Sequence, residues 1–363
     1  MNITKKTLWY LIVIFISFTT GLFVKAVVDT GSVRPLTSFV TQTKTPTPLT
    51  KYEISNLTNH IFDEGAFEIK EILSDEDAYK AYLFEYTYYP DLDADNPKVT
   101  TGQINIPKLE KLENEEMKAE INSNGFPVVL MIRGFVSQEI YYTGLGSSSG
   151  ADFFAKSGYV TISPDFLGYA GSDENSADIF ESRFQTYTTA ISLIKDIDRL
   201  TTLKALGESV RISDKVAIWA HSNGGQIALT LLEATKRVYP TTLWAPVTKG
   251  FPYAILYYTD ESEDKGAYIR HELADFENLY DAEKFSIDGY LDQIEAPITL
   301  HQGTADDAVP VGWSNTFVAK MRNLDKDINY FVYPGADHNM RPSWNEVISR
   351  DLEFFNSFIT LKS

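Results

Sequence analysis

The chain has 363 residues, 44% of them hydrophobic and 23% charged, which excludes global disorder and suits one large α/β domain or two small ones. A formal net charge of −18 argues against nucleic acid as a partner, since a phosphate backbone would be repelled. With no cysteine, disulfides, thiolate metal sites and a cysteine nucleophile are excluded together.

At the N-terminus, Lys5 and Lys6 precede the apolar run Leu8–Val24. At about 1.5 Å per residue such a helix spans about 26 Å, the low end for a membrane crossing. Residues 1–26 read as an uncleaved membrane anchor with its basic end in the cytoplasm, or as a signal peptide cut after Ala26. Both readings place the rest of the chain outside the cytoplasm, anchored or secreted. Residues 27–50 include the Thr- and Pro-rich stretch Thr41–Pro48 and read as an extended linker.

From 51 to 363 no second linker and no repeat interrupts the sequence. Ala81–Tyr88 and Thr100–Ile106, separated by the turn-forming Pro90–Pro97, predict a β-hairpin. The charged segment Lys108–Lys118 reads as solvated surface. Short continuous apolar runs follow, as strands buried on both faces require: Pro127–Ile132, Tyr159–Ser163, Lys215–Ala220, Thr241–Trp244, Pro297–Leu300 and Ile328–Tyr333. Helical patterns lie between and after them, at about 147–157, 178–206, 223–236, 313–324 and 342–360. This alternation predicts a mostly parallel sheet with helices on both faces, and a site at the carboxyl ends of the strands. The stretch 248–290 breaks the alternation with the aromatic Phe251–Tyr258 and the acidic Asp260–Asp264. It reads as a partly helical insertion, a lid or substrate wall, or simply a long decorated crossover.

The sharpest chemical signal is Ala220-His221-Ser222-Asn223-Gly224-Gly225, after one strand and opening a helix. A nucleophile elbow needs that context, with small residues two positions either side of the serine. The usual first residue is Gly; here it is Ala220. The helix start favours negative charge, and the Asn223 amide would face a developing oxyanion. A serine hydroxyl needs a base, and there are five histidines. His60 precedes the sheet, His221 sits inside the elbow, His271 lies in the insertion and His301 ends a strand. His338 follows the last strand on a carboxyl-end loop, where an imidazole can reach Ser222. The acid that orients it should come from the loop after Pro297–Leu300, where Asp306 and Asp307 both qualify. The order Ser, Asp, His is that of α/β-hydrolases.

The segment Tyr290–Pro310, the elbow His221–Gly225 and the Gly-Ala-Asp-His ending at His338 resemble the catalytic domain of the prolyl oligopeptidase family and its dienelactone-hydrolase-like relatives. The likeness runs over about 125–360. It implies an α/β-hydrolase fold, maps the acid to Asp306 and leaves Asp307 as a turn residue. It also implies a second oxyanion donor at the Phe135 amide, in a loop where Arg133 replaces the family's usual His. The loop beginning Pro164-Asp165 resembles one that shapes the pocket floor, with Asp165 structural. Tyr141 and Tyr142 are candidate pocket residues.

The expected activity is therefore a serine hydrolase cleaving ester or peptide bonds through an acyl-enzyme, with a small-molecule ester or peptide as substrate. No metal and no cofactor is expected, since the sequence holds neither a His-rich ligand cluster nor a Gly-rich phosphate loop. Some 75 residues between linker and first central strand are too few for a propeller of four or more blades. Two alternatives are a catalytically silent membrane-tethered binding module and a lipase at the membrane surface.

Overall fold

The computed structural model describes residues 49–93, 95–259 and 264–359. The proposed anchor and nearly all of the proposed linker lie outside the described residues. Among the described residues no helix is long and apolar enough to cross a membrane.

A ten-stranded sheet organises the chain. The short helix α1 (Ile54–Asn59) leads into β1 (Ala66–Asp75), β2 (Tyr79–Tyr88) and β3 (Lys98–Pro107). Helix α2 (Glu115–Asn124), β4 (Phe126–Ile132), α3 (Ser148–Lys156), β5 (Val160–Pro164) and α4 (Ile179–Ile197) follow. Next come β6 (Thr202–Ala205), β7 (Glu208–His221), α5 (Asn223–Thr235) and β8 (Thr241–Trp244). The chain ends with α6 (Tyr253–Thr259), α7 (Ala267–Leu279), β9 (Ile298–Gly303), α8 (Val311–Asn323), β10 (Ile328–Tyr333) and α9 (Trp344–Ile359).

The strand order is β1-β2-β3-β5-β4-β7-β8-β9-β10, with β6 paired to β7. From β5 to β10 the neighbours are parallel, whereas β1, β2 and β3 join antiparallel and β3 continues antiparallel onto β5. The sheet is thus mostly parallel, as the alternation of apolar runs and helical periods requires. Strands β5, β8 and β9 bury every residue, because helices cover both faces. One core, including Phe184, Ile191, Leu229 and Leu300, packs under α4, α5 and α8. The other, including Phe154, Trp219, Trp244 and Phe355, packs under α3 and α9.

Two expectations need correction, and one strand was not foreseen. The helical pattern at 178–206 stops at Ile197, and residues beyond it form β6, which turns back at Leu206-Gly207 into β7. Lys108–Lys118 is not simply solvated: Leu112 is buried and α2 starts within it, capped by Asn114 and burying Met117 and Ile121. Strand β1, which the sequence reading did not anticipate, is an edge strand of charged and apolar residues with most side chains exposed. Such an edge carries little hydrophobic signal.

Register sets the site. His221 pairs with Trp244, and Trp244 with His301, so three rings stand in a row across the carboxyl ends of β7, β8 and β9. His301 is fully buried, with Nε2 2.8 Å from Asp351 and Nδ1 2.8 Å from the Tyr333 hydroxyl. Trp244 donates its indole N–H to the same Asp351 at 2.6 Å. Burial pushes the Asp351 carboxyl up, and His301 and Trp244 oppose that. The network ties α9 to the sheet below the site.

Candidate active site

Ser222 stands between β7 and α5 with φ 56° and ψ −123°, a left-handed conformation unusual outside glycine. The strain is held by its surroundings: the Ser222 amide donates to Trp244 O at 2.9 Å, and Ser222 O accepts from Gly225 and Val247 at 2.9 and 2.8 Å. The packing demands glycine nearby. A Cβ on Gly224 would stand 2.2 Å from Ile132 O, and one on Gly134 would stand 2.7 Å from Ser222 Cβ. The loop after β4 therefore lies directly against Ser222. It carries Phe135 beside the elbow, and neither the Phe135 amide nor the Asn223 amide has a protein acceptor among the described residues. Two unengaged N–H groups beside a serine are what a developing oxyanion requires.

That loop is clamped from below. Arg133, 5% exposed, donates to Gly134 O at 2.9 Å, to the Asp165 main-chain oxygen and to the Tyr141 hydroxyl. Its guanidinium lies over the rings of Tyr141 and Tyr169, 4.5 and 4.1 Å from their centroids. Tyr169 also donates to Val136 O at 3.0 Å. The wholly buried Asp165 carboxylate accepts from Thr101, Tyr141, Thr143 and the Gly144 amide at 2.6–3.1 Å. Arg133 thus reaches Asp165 through the backbone and through Tyr141, not by a direct ion pair. Burial holds the Tyr141 hydroxyl well above its ordinary range. That hydroxyl is engaged with Asp165 and Arg133, while Tyr142 is 61% exposed. Sequence reasoning missed this clamp, whose members come from four separate segments.

On the other side of Ser222, the loops after β9 and β10 are laced together by Ala305 N to Ala336 O at 2.9 Å and Gly335 N to Thr304 Oγ1 at 2.8 Å. They bring Asp306 to His338, whose Nδ1 is 3.1 Å from both carboxylate oxygens. The Asp306 side chain is fully buried, and His338 remains 18% exposed. Burial pushes the Asp306 carboxyl up, but the His338 ring and the Val309 and Ala308 amides outweigh it and hold the group below the ordinary carboxylate range. A carboxylate only accepts, so Nδ1 carries the proton and Nε2 is left as the basic nitrogen. Asp307 faces solvent.

His221 packs its ring 4.7 Å from that of His338, centroid to centroid, with Nε2 3.0 Å from His338 O. A carbonyl only accepts, so His221 donates there. Burial, and then repulsion from His338, pushes the His221 imidazole down to about 4. The remaining histidines are elsewhere: His60 packs edge-on to Phe62, and His271 sits on exposed α7 beside Glu272 and Asp275. No group of three or more His, Asp or Glu side chains suited to a metal exists among the described residues.

A strained serine at a strand-to-helix turn, on a mostly parallel sheet with strand-end loops around it, defines an α/β-hydrolase of the serine hydrolase class. The chain belongs to the prolyl oligopeptidase family, whose model matches residues 146–361. In structure it is similar to acetyl xylan esterase 1 from Thermoanaerobacterium sp. JW/SL YS485, at 16% identity and TM-score 0.56, over 87% of this chain and 94% of that one. It is also similar to an acetyl xylan esterase from Paenibacillus sp. R4, at 15% identity and TM-score 0.56, over 85% of this chain and 99% of that one. Acylaminoacyl peptidase from Pyrococcus horikoshii matches at 15% identity and TM-score 0.48, over 82% of this chain and 50% of that one. No curated protein sequence matches the chain.

Proposed function

We propose that this serine hydrolase cleaves carboxylic esters of small acyl groups, with Ser222 as nucleophile, His338 as general base and Asp306 as the acid that orients it. The observation that carries the reading is the buried Asp306 carboxylate 3.1 Å from His338 Nδ1, which frees Nε2 to act as base beside the elbow. His338 takes the Ser222 proton as the hydroxyl oxygen attacks the carbonyl carbon. The amides of Phe135 and Asn223 stabilise the oxyanion, His338 protonates the leaving oxygen, and water then releases the acyl group. Esters come before peptides because the two acetyl xylan esterases share this architecture over nearly their whole length. Peptide bonds are the second substrate class, on the strength of the family.

The lysines and the apolar run at residues 5–24 support the further reading that the domain works outside the cytoplasm, tethered or secreted. Cell fractionation of the full-length chain, with protease added to intact cells, tests this; a protein wholly in the cytosol would reject it.

The catalytic test is labelling of the full-length protein by a fluorophosphonate, which reacts only with an activated serine. Labelling should vanish in Ser222→Ala, and Ser222→Ala and His338→Ala should each lower ester hydrolysis by about 10⁴-fold or more. A folded parent that does not label would reject the triad.

A further inference from the structure

Side chains alternate along β9, so His301 and Gln302 leave it on opposite faces. His301 meets Asp351 of α9, whereas Gln302 meets Ser314 of α8. Gln302 and Ser314 are both wholly buried. A buried side-chain amide needs a partner for each of its polar atoms, and here the partners converge on the proposed acid. Gln302 Nε2 donates to Asp306 Oδ2 at 2.9 Å, with the Gly303 and Val309 main-chain oxygens at 3.3 and 3.4 Å. Ser314 donates its hydroxyl to Gln302 Oε1 at 2.7 Å. A carboxylate only accepts, so the amide nitrogen must face Asp306 and the amide oxygen must face Ser314.

The two oxygens of Asp306 are thus held from different elements. Oδ1 accepts from the Ala308 and Val309 amides, both at 2.9 Å, within the acid's own loop. Those bonds fix one oxygen and leave the carboxylate able to pivot about it. Oδ2 has Gln302 as its only donor besides His338 among the described residues. His338 Nδ1 stands 3.1 Å from both oxygens, a symmetric position that requires the carboxylate to be set at both ends. The imidazole is the partly exposed partner, whereas the Ser314–Gln302 pair is built into the sheet and a helix.

We infer that Gln302 is a positioning residue of the proposed triad, holding the Asp306 carboxylate so that both its oxygens face His338 Nδ1, and that Ser314 locks the Gln302 amide in the orientation this needs. The inference rests on the triad reading above and adds to it the path by which β9 and α8 reach the base. Both residues act through Asp306 rather than on the reacting atoms.

The test compares single and double variants of the full-length protein, read by p-nitrophenyl acetate hydrolysis and by the rate of fluorophosphonate labelling. Gln302→Met keeps the length and bulk of the side chain and removes the donor. It should lower kcat and the labelling rate by about tenfold with KM changed less than about twofold, as loss of one charge-assisted orienting bond does. Added to Asp306→Ala it should cost nothing further, because its effect passes through the carboxylate already removed. Ser314→Ala removes only a hydroxyl and should lower kcat by about threefold, again only when Asp306 is present. A folded Gln302→Met with the parent's rates, or with equal losses in both backgrounds, would overturn the inference and leave the triad standing. Where Gln302→Met does not fold, the same two outcomes in Ser314→Ala overturn it. Asp306→Ala with the parent's rates would instead reject the triad reading, and this inference with it.

Discussion

His221, beside the proposed nucleophile, is a positioning residue for the proposed base. Its ring carries no positive charge at neutral pH, because enclosure and the neighbouring His338 push it down to about 4. In that form it donates to the His338 carbonyl and fixes the backbone that carries the proposed base. His221→Phe keeps the ring and removes the donor. It should lower kcat by about tenfold, the worth of one orienting hydrogen bond, with KM little changed. The same residue sets a pH dependence. An unfolded chain protonates this imidazole near its ordinary 6.5, whereas the folded one resists until about 4. Between those values the unfolded state binds more protons, so stability is full above about 6.5 and falls toward 4. The loss from this group is on the order of 3 kcal/mol, at about 1.4 kcal/mol per unit. Urea unfolding at pH 7 and pH 4.5 should therefore show a smaller drop in His221→Phe than in the parent. An equal drop would mean that His221 titrates normally in the fold.

Among the elements, the insertion after β8 has a fixed base and an open rim. Helix α7 buries Ile269, Leu273 and Phe276, and Phe276 meets Phe180, Phe184, Phe251 and Phe285 with ring centroids 5.0–6.2 Å apart. That cluster packs the base of the insertion against α4. Tyr253, Tyr257 and Tyr268 remain exposed, and Tyr257 rests against Trp313 at 4.9 Å. Phe276→Ala should cost about 3–5 kcal/mol of stability, as a large aromatic removed from a packed cluster does. Tyr257→Ala should leave stability nearly unchanged, and it raises KM only if the rim touches substrate. Denaturant melts paired with KM values separate the two roles. The same contrast explains what the sequence disclosed. The parallel strands announce themselves because both faces are buried and the apolar run is unbroken. The proposed triad of Ser222, Asp306 and His338 could be picked out in the sequence because each residue follows such a run at its carboxyl end. Strand β1 is an exposed edge and β6 is four residues long, so neither has a pattern to read. The Arg133–Tyr141–Asp165 clamp is invisible for another reason: it depends on contacts between loops distant in sequence, and no local spacing encodes those.

Over the whole molecule, charge rather than fold separates substrates before any contact is made. A formal net charge of −18 over the chain predicts a repulsive potential for anions and a lower encounter rate for them, while neutral molecules should be indifferent to it. Salt shortens the reach of that field, to about 8 Å at physiological ionic strength. Two aryl esters with one acyl group, one neutral and one carrying a carboxylate on the leaving group, isolate the effect. For the neutral ester kcat/KM should stay flat as salt rises from about 10 mM to 150 mM, while for the anionic ester it should climb severalfold. The gain should lie in kcat/KM and not in kcat, since steering acts before the chemical step. Equal salt responses for the two esters would mean that the acidic residues lie too far from the Ser222 mouth to act on an approaching substrate.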